Sequence, residues 1–127
     1  MSVSESFKTY VLEQLGRVRP DIRARAMFGG VGVYAAERIF GLIDDDVLYL
    51  KVDDLNRGDF EKAGMGPFQP FGPGGEVMQY YELPEGVLDD PEALAPWIEG
   101  SVEVSARAKI RKKSPSPGPR VSGKKKR

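Results

Sequence analysis

The stretch Met27-Phe28-Gly29-Gly30-Val31-Gly32-Val33-Tyr34-Ala35-Ala36-Glu37-Arg38-Ile39-Phe40-Gly41-Leu42-Ile43-Asp44-Asp45-Asp46-Val47-Leu48-Tyr49-Leu50-Lys51-Val52 decides the fold of this chain. From Ala24 the apolar residues recur with a period of two, the spacing at which side chains of a strand return to one face. Met27, Phe28, Val31, Val33 and Tyr34 read as strand residues with Gly29, Gly30 and Gly32 between them. Ala35-Ala36-Glu37-Arg38 turns the chain into Ile39–Ile43, and Asp44-Asp45-Asp46 turns it again. Val47–Val52 is the clearest strand, rich in β-branched and aromatic residues. Connections this short join antiparallel neighbours, so a β-meander is expected.

Upstream, Ser2-Val3-Ser4-Glu5 reads as a capping box with Ser2 at the N-cap and Glu5 at N3. Phe7, Tyr10, Val11 and Leu15 follow at helical spacing, which predicts a helix over about residues 3–16, ended by Gly16 and Pro20. Downstream, Asp53 or Asp54 is expected to cap a second helix through Leu55, Phe60 and Ala63, closed by Gly64 at C′. Residues 64–75 are rich in glycine and proline and read as a loop, with a short strand at Phe68–Phe71; Val77–Leu83 is a further strand stopped by Pro84. A last helix has two starts open to it. Asp90-Pro91-Glu92 puts proline at N1 but leaves Pro96 inside the helix; the alternative begins near Pro96. In both, Leu94, Ile98, Val102, Ala106 and Ile110 fall four apart, so the helix can run into the basic segment. These elements predict an α+β fold of two layers. Its antiparallel sheet has about five strands, a meander plus a later strand or hairpin, and is backed by helices.

Charge is segregated along the chain. Lys+Arg and Asp+Glu both number 19. Residues 1–105 hold every acid and nine bases, a net of −10, and residues 106–127 hold ten bases and no acid. The expected organisation is one folded body over 1–105 and a basic Lys/Arg/Ser/Pro tail over 106–127, largely disordered after 113. With 127 residues the chain is long enough for one core. It lacks cysteine and histidine, which excludes disulfides, thiolate zinc sites, cysteine nucleophiles, serine–histidine triads and histidine-ligated metals. No segment resembles a signal peptide and no apolar run approaches about 18 residues, so a soluble cytoplasmic protein without membrane contact is expected.

Gly30-Val31-Gly32-Val33-Tyr34-Ala35 fits G-x-G-x-x-A, but a dinucleotide site needs that motif to open a helix, and an alternating strand pattern follows it here. The glycines read instead as allowing a bulge, a bend or close backbone approach. Asp44–Asp46 lies across a strand about 20 Å long from Asp53 and Asp54, so the triplet reads as a solvated hairpin turn and the pair as a helix cap. Lys51, Tyr80, Tyr81 and Glu82 could supply acid–base groups, but the preferred reading is that alternate tyrosines cover the core and the outer face. No cofactor is called for. In the tail, Lys109, Arg111, Lys112, Lys113, Arg120, Lys124, Lys125, Lys126 and Arg127 can each neutralise a phosphate. The same residues can solubilise the chain or fold back on its acidic body.

Met27-Phe28-Gly29-Gly30, Leu48-Tyr49-Leu50-Lys51-Val52-Asp53, Tyr80-Tyr81-Glu82-Leu83-Pro84, Leu88-Asp89-Asp90-Pro91 and Pro96-Trp97, in this order over about residues 5–105, resemble the N-terminal domain of the TfoX/Sxy family of bacterial competence regulators. The resemblance implies a secretion-chaperone-like α+β domain. It also implies a role in transcriptional regulation, exercised in well-known members with a cyclic-AMP receptor protein. Longer members carry a second, helical domain where this chain has its basic segment. The resemblance supplies no catalytic residue; its recurring positions, here Met27, Phe28, Gly29, Gly30, Gly32, Tyr34, Lys51, Tyr81, Pro84 and Trp97, read as fold determinants. The expectation is a non-enzymatic regulatory domain that self-associates through its sheet or a helix face and reaches nucleic acid through its tail. A chaperone-like adaptor for another protein, such as a component or regulator of transcription, is the alternative; a small carboxylate- and tyrosine-based enzyme is the third reading.

Overall fold

A computed structural model of the chain describes residues 4–27, 30–69 and 79–113, the last five by backbone alone. The described residues form α1 (Glu5–Val18), β1 (Ile22–Met27), β2 (Gly30–Ala35), β3 (Arg38–Asp44), β4 (Val47–Lys51), α2 (Arg57–Lys62), β5 (Tyr80–Glu82) and α3 (Pro91–Lys113). The strands make one antiparallel sheet in the order β1-β2-β3-β4-β5, the expected meander with a later strand added at its edge. Register sets the two faces, because directly paired residues point the same way. Ala24, Val33, Gly41, Leu50 and Tyr81 align across the sheet, as do Ala26, Val31, Ile43 and Leu48. On that face Val33, Ile43 and Leu50 are sealed from solvent together with Val11 and Leu15 of α1 and Leu94 and Ile98 of α3. Each such side chain contributes about 1.5–3 kcal/mol when buried.

The first strand pattern divides in two. Met27 pairs with Gly30, so β1 and β2 form a hairpin whose linking residues, Phe28 and Gly29, lie outside the described ones. The strand pattern begins at Ala24, but β1 starts at Ile22; Arg23-Ala24-Arg25-Ala26 lacks β-branched and aromatic residues, and pairing with β2 rather than propensity makes it a strand of its own. Between β2 and β3 the register shifts at Val33/Tyr34, leaving Phe40 as the extra residue of a bulge with its ring fully buried. Gly30 answers a close approach: a Cβ there would lie 2.6 Å from the Ile43 carbonyl oxygen. The connections at Ala36-Glu37 and Asp45-Asp46 both place two residues at positive φ, 52° and 69° then 53° and 58°, the primed turn that suits strand twist.

The helix boundaries also differ from the expectation. Ser4, not Ser2, is the N-cap of α1, and its Oγ accepts the Phe7 N–H at 3.2 Å. Asp46 of the β3–β4 turn accepts from both the Ser4 N–H (2.8 Å) and its hydroxyl (3.0 Å), fixing the helix start to the sheet. Gly16 does not end α1, which continues to Val18, where the valine packs on the core. The described part of the 64–75 loop lies along β5: Phe68 N–H donates to the Tyr80 carbonyl and Glu82 N–H to that of Gly66. The remainder of the expected Phe68–Phe71 strand, and residues 77–78 of the next, lie outside the described residues, as does the stretch after 113.

α3 takes the earlier of its two starts. The Asp90 carboxylate accepts the Glu92 N–H at 3.1 Å, its carbonyl takes the Leu94 N–H at 2.8 Å, and Pro91 occupies N1. Pro96 sits inside, with an interior cost of about 3 kcal/mol, between the fully buried Leu94 and Ile98. The helix passes residue 105 unbroken to Lys113. We expect Gly30→Ala to lower the unfolding free energy by about 1–3 kcal/mol through overpacking against β3. Gly16→Ala, whose methyl would meet nothing within 4 Å, is expected to raise it by up to about 1 kcal/mol; urea midpoints measure both.

Candidate functional site

The residues between β4 and α2 form the most connected polar cluster among the described residues. Asp53 or Asp54 was expected to cap α2, but Asp54 pairs with Arg57 at 2.7 Å and the Asp53 carboxylate is engaged elsewhere. Oδ1 accepts the Leu55 N–H at 2.9 Å, and both oxygens take the Arg107 guanidinium in a fork, at 2.8 Å to Nε and 3.0 Å to the second amine. α2 therefore begins later, after Asn56, whose side chain serves the turn instead. Asn56 Oδ1 accepts the Asp53 N–H at 2.8 Å and its Nδ2 donates to the Lys51 carbonyl, which also accepts from the fully buried Ser101 of α3 at 2.8 Å. The short helix closes with Gly64 at φ 82°, the Gly64 N–H on the Glu61 carbonyl and the Met65 N–H on that of Phe60, so the expected glycine stop holds. Arg107, the first base of the charged segment, is thus committed to the body, and its carboxylate partner raises the guanidinium's pKa further.

Beside this turn, α2 and α3 enclose an open groove of about 520 Å³ lined by Asn56, Asp59, Phe60, Lys62, Ala63, Pro96, Trp97 and Gly100. The buried Phe60 ring meets Trp97 edge-on at 4.8 Å between centroids and Tyr81 at 6.0 Å. Tyr81 donates to Glu61 at 3.1 Å; burial, then that carboxylate, push its hydroxyl pKa up. Leu55, which precedes the groove residue Asn56 in sequence, is 76% exposed. A second depression, of about 460 Å³, lies against β1 and is lined by Arg23, Ala24, Arg25, Tyr34 and Glu37; Arg25 sits 5.9 Å above the Tyr34 ring and Arg23 pairs with Glu37 at 3.4 Å.

The motif positions fall into two groups. Lys51, Tyr81 and Trp97 gather around α2. Met27, Gly30, Gly32 and Tyr34 lie on the sheet face turned away from α1 and α3, where Met27, Ile39 and Tyr34 close over Gly32. Pro84 follows β5, and Phe28 and Gly29 are outside the described residues. Tyr80 and Tyr81 point to opposite faces; Lys51 pairs directly with Tyr80 and shares its face, away from Tyr81. Of the Asp44–Asp46 turn, Asp46 holds Ser4, and Asp53 holds Arg107. Of the tail residues, Lys109, Arg111, Lys112 and Lys113 continue the α3 backbone, while Arg120, Lys124, Lys125, Lys126 and Arg127 fall outside the described residues. Asn56, Ser101 and Arg107 were not singled out from sequence; the Asp53-x-x-Asn56 spacing, an Asx-turn pattern, was the available signal.

The sequence pattern of the TfoX N-terminal domain matches residues 13–105. An "Uncharacterized 12.7 kDa protein in trpE 5'region" of Spirochaeta aurantia is 31% identical over 121 residues, which cover 94% of this chain and 90% of that protein.

Two outcomes are expected. Asp53→Ala strands the Arg107 fork and frees the Leu55 N–H, lowering stability by about 1–3 kcal/mol; hydrogen exchange should show the loss concentrated in α3 beyond Ser105. Burial pushes Tyr80 up to about 12, whereas an unfolded tyrosine ionises near 10. The folded state then holds the proton that the unfolded state has lost, so stability is full below about pH 10 and falls between about 10 and 12. Tyr80→Phe should reduce that fall in a series of urea midpoints against pH.

Proposed function

The chain belongs to the TfoX N-terminal domain family, and from that membership we propose that it is a non-enzymatic regulatory domain whose basic segment contacts nucleic acid while its body meets a protein of the transcription apparatus. The family is one of regulatory, competence-linked domains. The observation that carries the reading is the charge division, −10 over residues 1–105 against ten bases beyond them. The division supports contact through a tether, since the acidic body repels a polyanion. Arg107 belongs to the body through Asp53, which leaves nine bases for phosphate. Contacts of this kind position a protein on nucleic acid without reading its sequence, which suits a domain whose promoter choice comes from a partner. The chain has no histidine and no cysteine, which removes imidazole and thiolate catalysis.

Binding to duplex DNA should fall with a log–log salt slope of about −5 if about six phosphates are engaged. Replacing Lys109, Arg111, Lys112, Lys113, Arg120, Lys124, Lys125, Lys126 and Arg127 with Gln, which spares α3 and the Arg107 fork, should abolish both the binding and its salt dependence. Equal, negligible binding by the two proteins in fluorescence anisotropy would remove the nucleic-acid half of the proposal.

A further inference from the structure

We propose that the groove between α2 and α3 is a self-association surface and that its occupant is a second copy of this chain. Its floor is aromatic, Phe60 and Trp97 in edge-to-face contact, and its walls are the small or rigid residues Ala63, Pro96 and Gly100. Gly100 lies in the interior of the 23-residue α3, where glycine is disfavoured. A Cβ at Gly100 would meet nothing within 4 Å, so the fold's own packing gives no reason for a glycine there. The missing side chain keeps the groove open to an incoming group.

Leu55, the sequence neighbour of the groove residue Asn56, offers that group. It is 76% exposed, far more than any other large apolar side chain among the described residues. It stands on a fixed turn, with its N–H on Asp53 Oδ1 and Asp53 locked by Arg107, so burying it requires little new ordering. Charge complements shape. Asp59 and Lys62 both line the groove, one turn apart on α2. Two copies related by a two-fold axis, with their α2 helices antiparallel, bring each Asp59 to the other copy's Lys62. A knob, a hole and both signs of charge meet the requirement of an isologous contact, in which a patch must fit itself. This surface is independent of the basic segment, so the proposal stands or falls apart from the nucleic-acid reading.

The test is analytical ultracentrifugation of the nuclease-treated full chain from about micromolar to about millimolar concentration. The expected result is a reversible monomer–dimer equilibrium. Leu55→Asp, at an exposed position that leaves the fold intact, should raise the dimer dissociation constant by at least about tenfold. Gly100→Leu should do the same by filling the groove from within. Asp59→Lys should weaken the dimer, and adding Lys62→Asp should restore it, because the pairs re-form with their signs exchanged. A chain that stays monomeric throughout, or a dimer indifferent to Leu55→Asp and to the charge exchange, overturns the proposal.

Discussion

One long helix closes one sheet, and that constraint governs the rest of the structure. A five-stranded meander has an apolar face that α1 covers only in part; α3 supplies the remainder with Leu94, Ile98 and Val102. The requirement explains features that are unfavourable locally. Pro96 is kept within the helix because ending α3 there would withdraw Leu94 from the core. Residues with side chains hold positive φ at Ala36 and Glu37 because a two-residue primed turn keeps β2 and β3 in register over the buried face. The ends of the layer are tied by polar contacts rather than by packing. Asp46 holds the start of α1, and Arg19 joins the end of α1 to Asp21 and to Glu99 of α3, both at 2.8 Å.

Asp53 carries that constraint into the region of α2. One carboxylate shapes the turn that presents Leu55, delays the start of α2, and anchors α3 at Arg107, beyond its last deeply buried turn. The position of α2, and hence the groove beside Trp97, follows from these bonds together with the Ser101 hydroxyl on the Lys51 carbonyl. Structural polarity here lies in a few multiply used groups. Lys51, Asn56 and Ser101 contribute a backbone carbonyl, a side-chain amide and a hydroxyl to one small network, which is why apolar periodicity alone passes over them.

The family membership and the charge division describe different parts of the molecule. The TfoX N-terminal match ends at residue 105, two residues after the last acid, Glu103, yet α3 crosses that point without a break. The helix therefore couples the folded body to the basic segment mechanically. The first base of that segment is already spent inside the body.

The strands from Ile39 to Val52, the helices around Val11 and Ile98 and the Gly64 stop were legible in the sequence, because each shows its own period or its own obligatory residue. The division of the first strand pattern into β1 and β2, and the start of β1 at Ile22, were not legible, since both follow from the pairing of the two strands. Ser4 could not be told from Ser2 as a cap, because the choice depends on Asp46, distant in sequence. The role of Asp53 was misjudged for the same reason: its partner Arg107 lies 54 residues away. By itself the sequence determined the α+β class, the family, the division of charge and the absence of thiol and imidazole chemistry, all properties of composition and local spacing. Only the tertiary structure decided which carboxylate caps and which clamps, which start α3 takes, and that Phe60, Trp97 and Gly100 line one groove, because these are settled by contacts between residues that no local pattern relates.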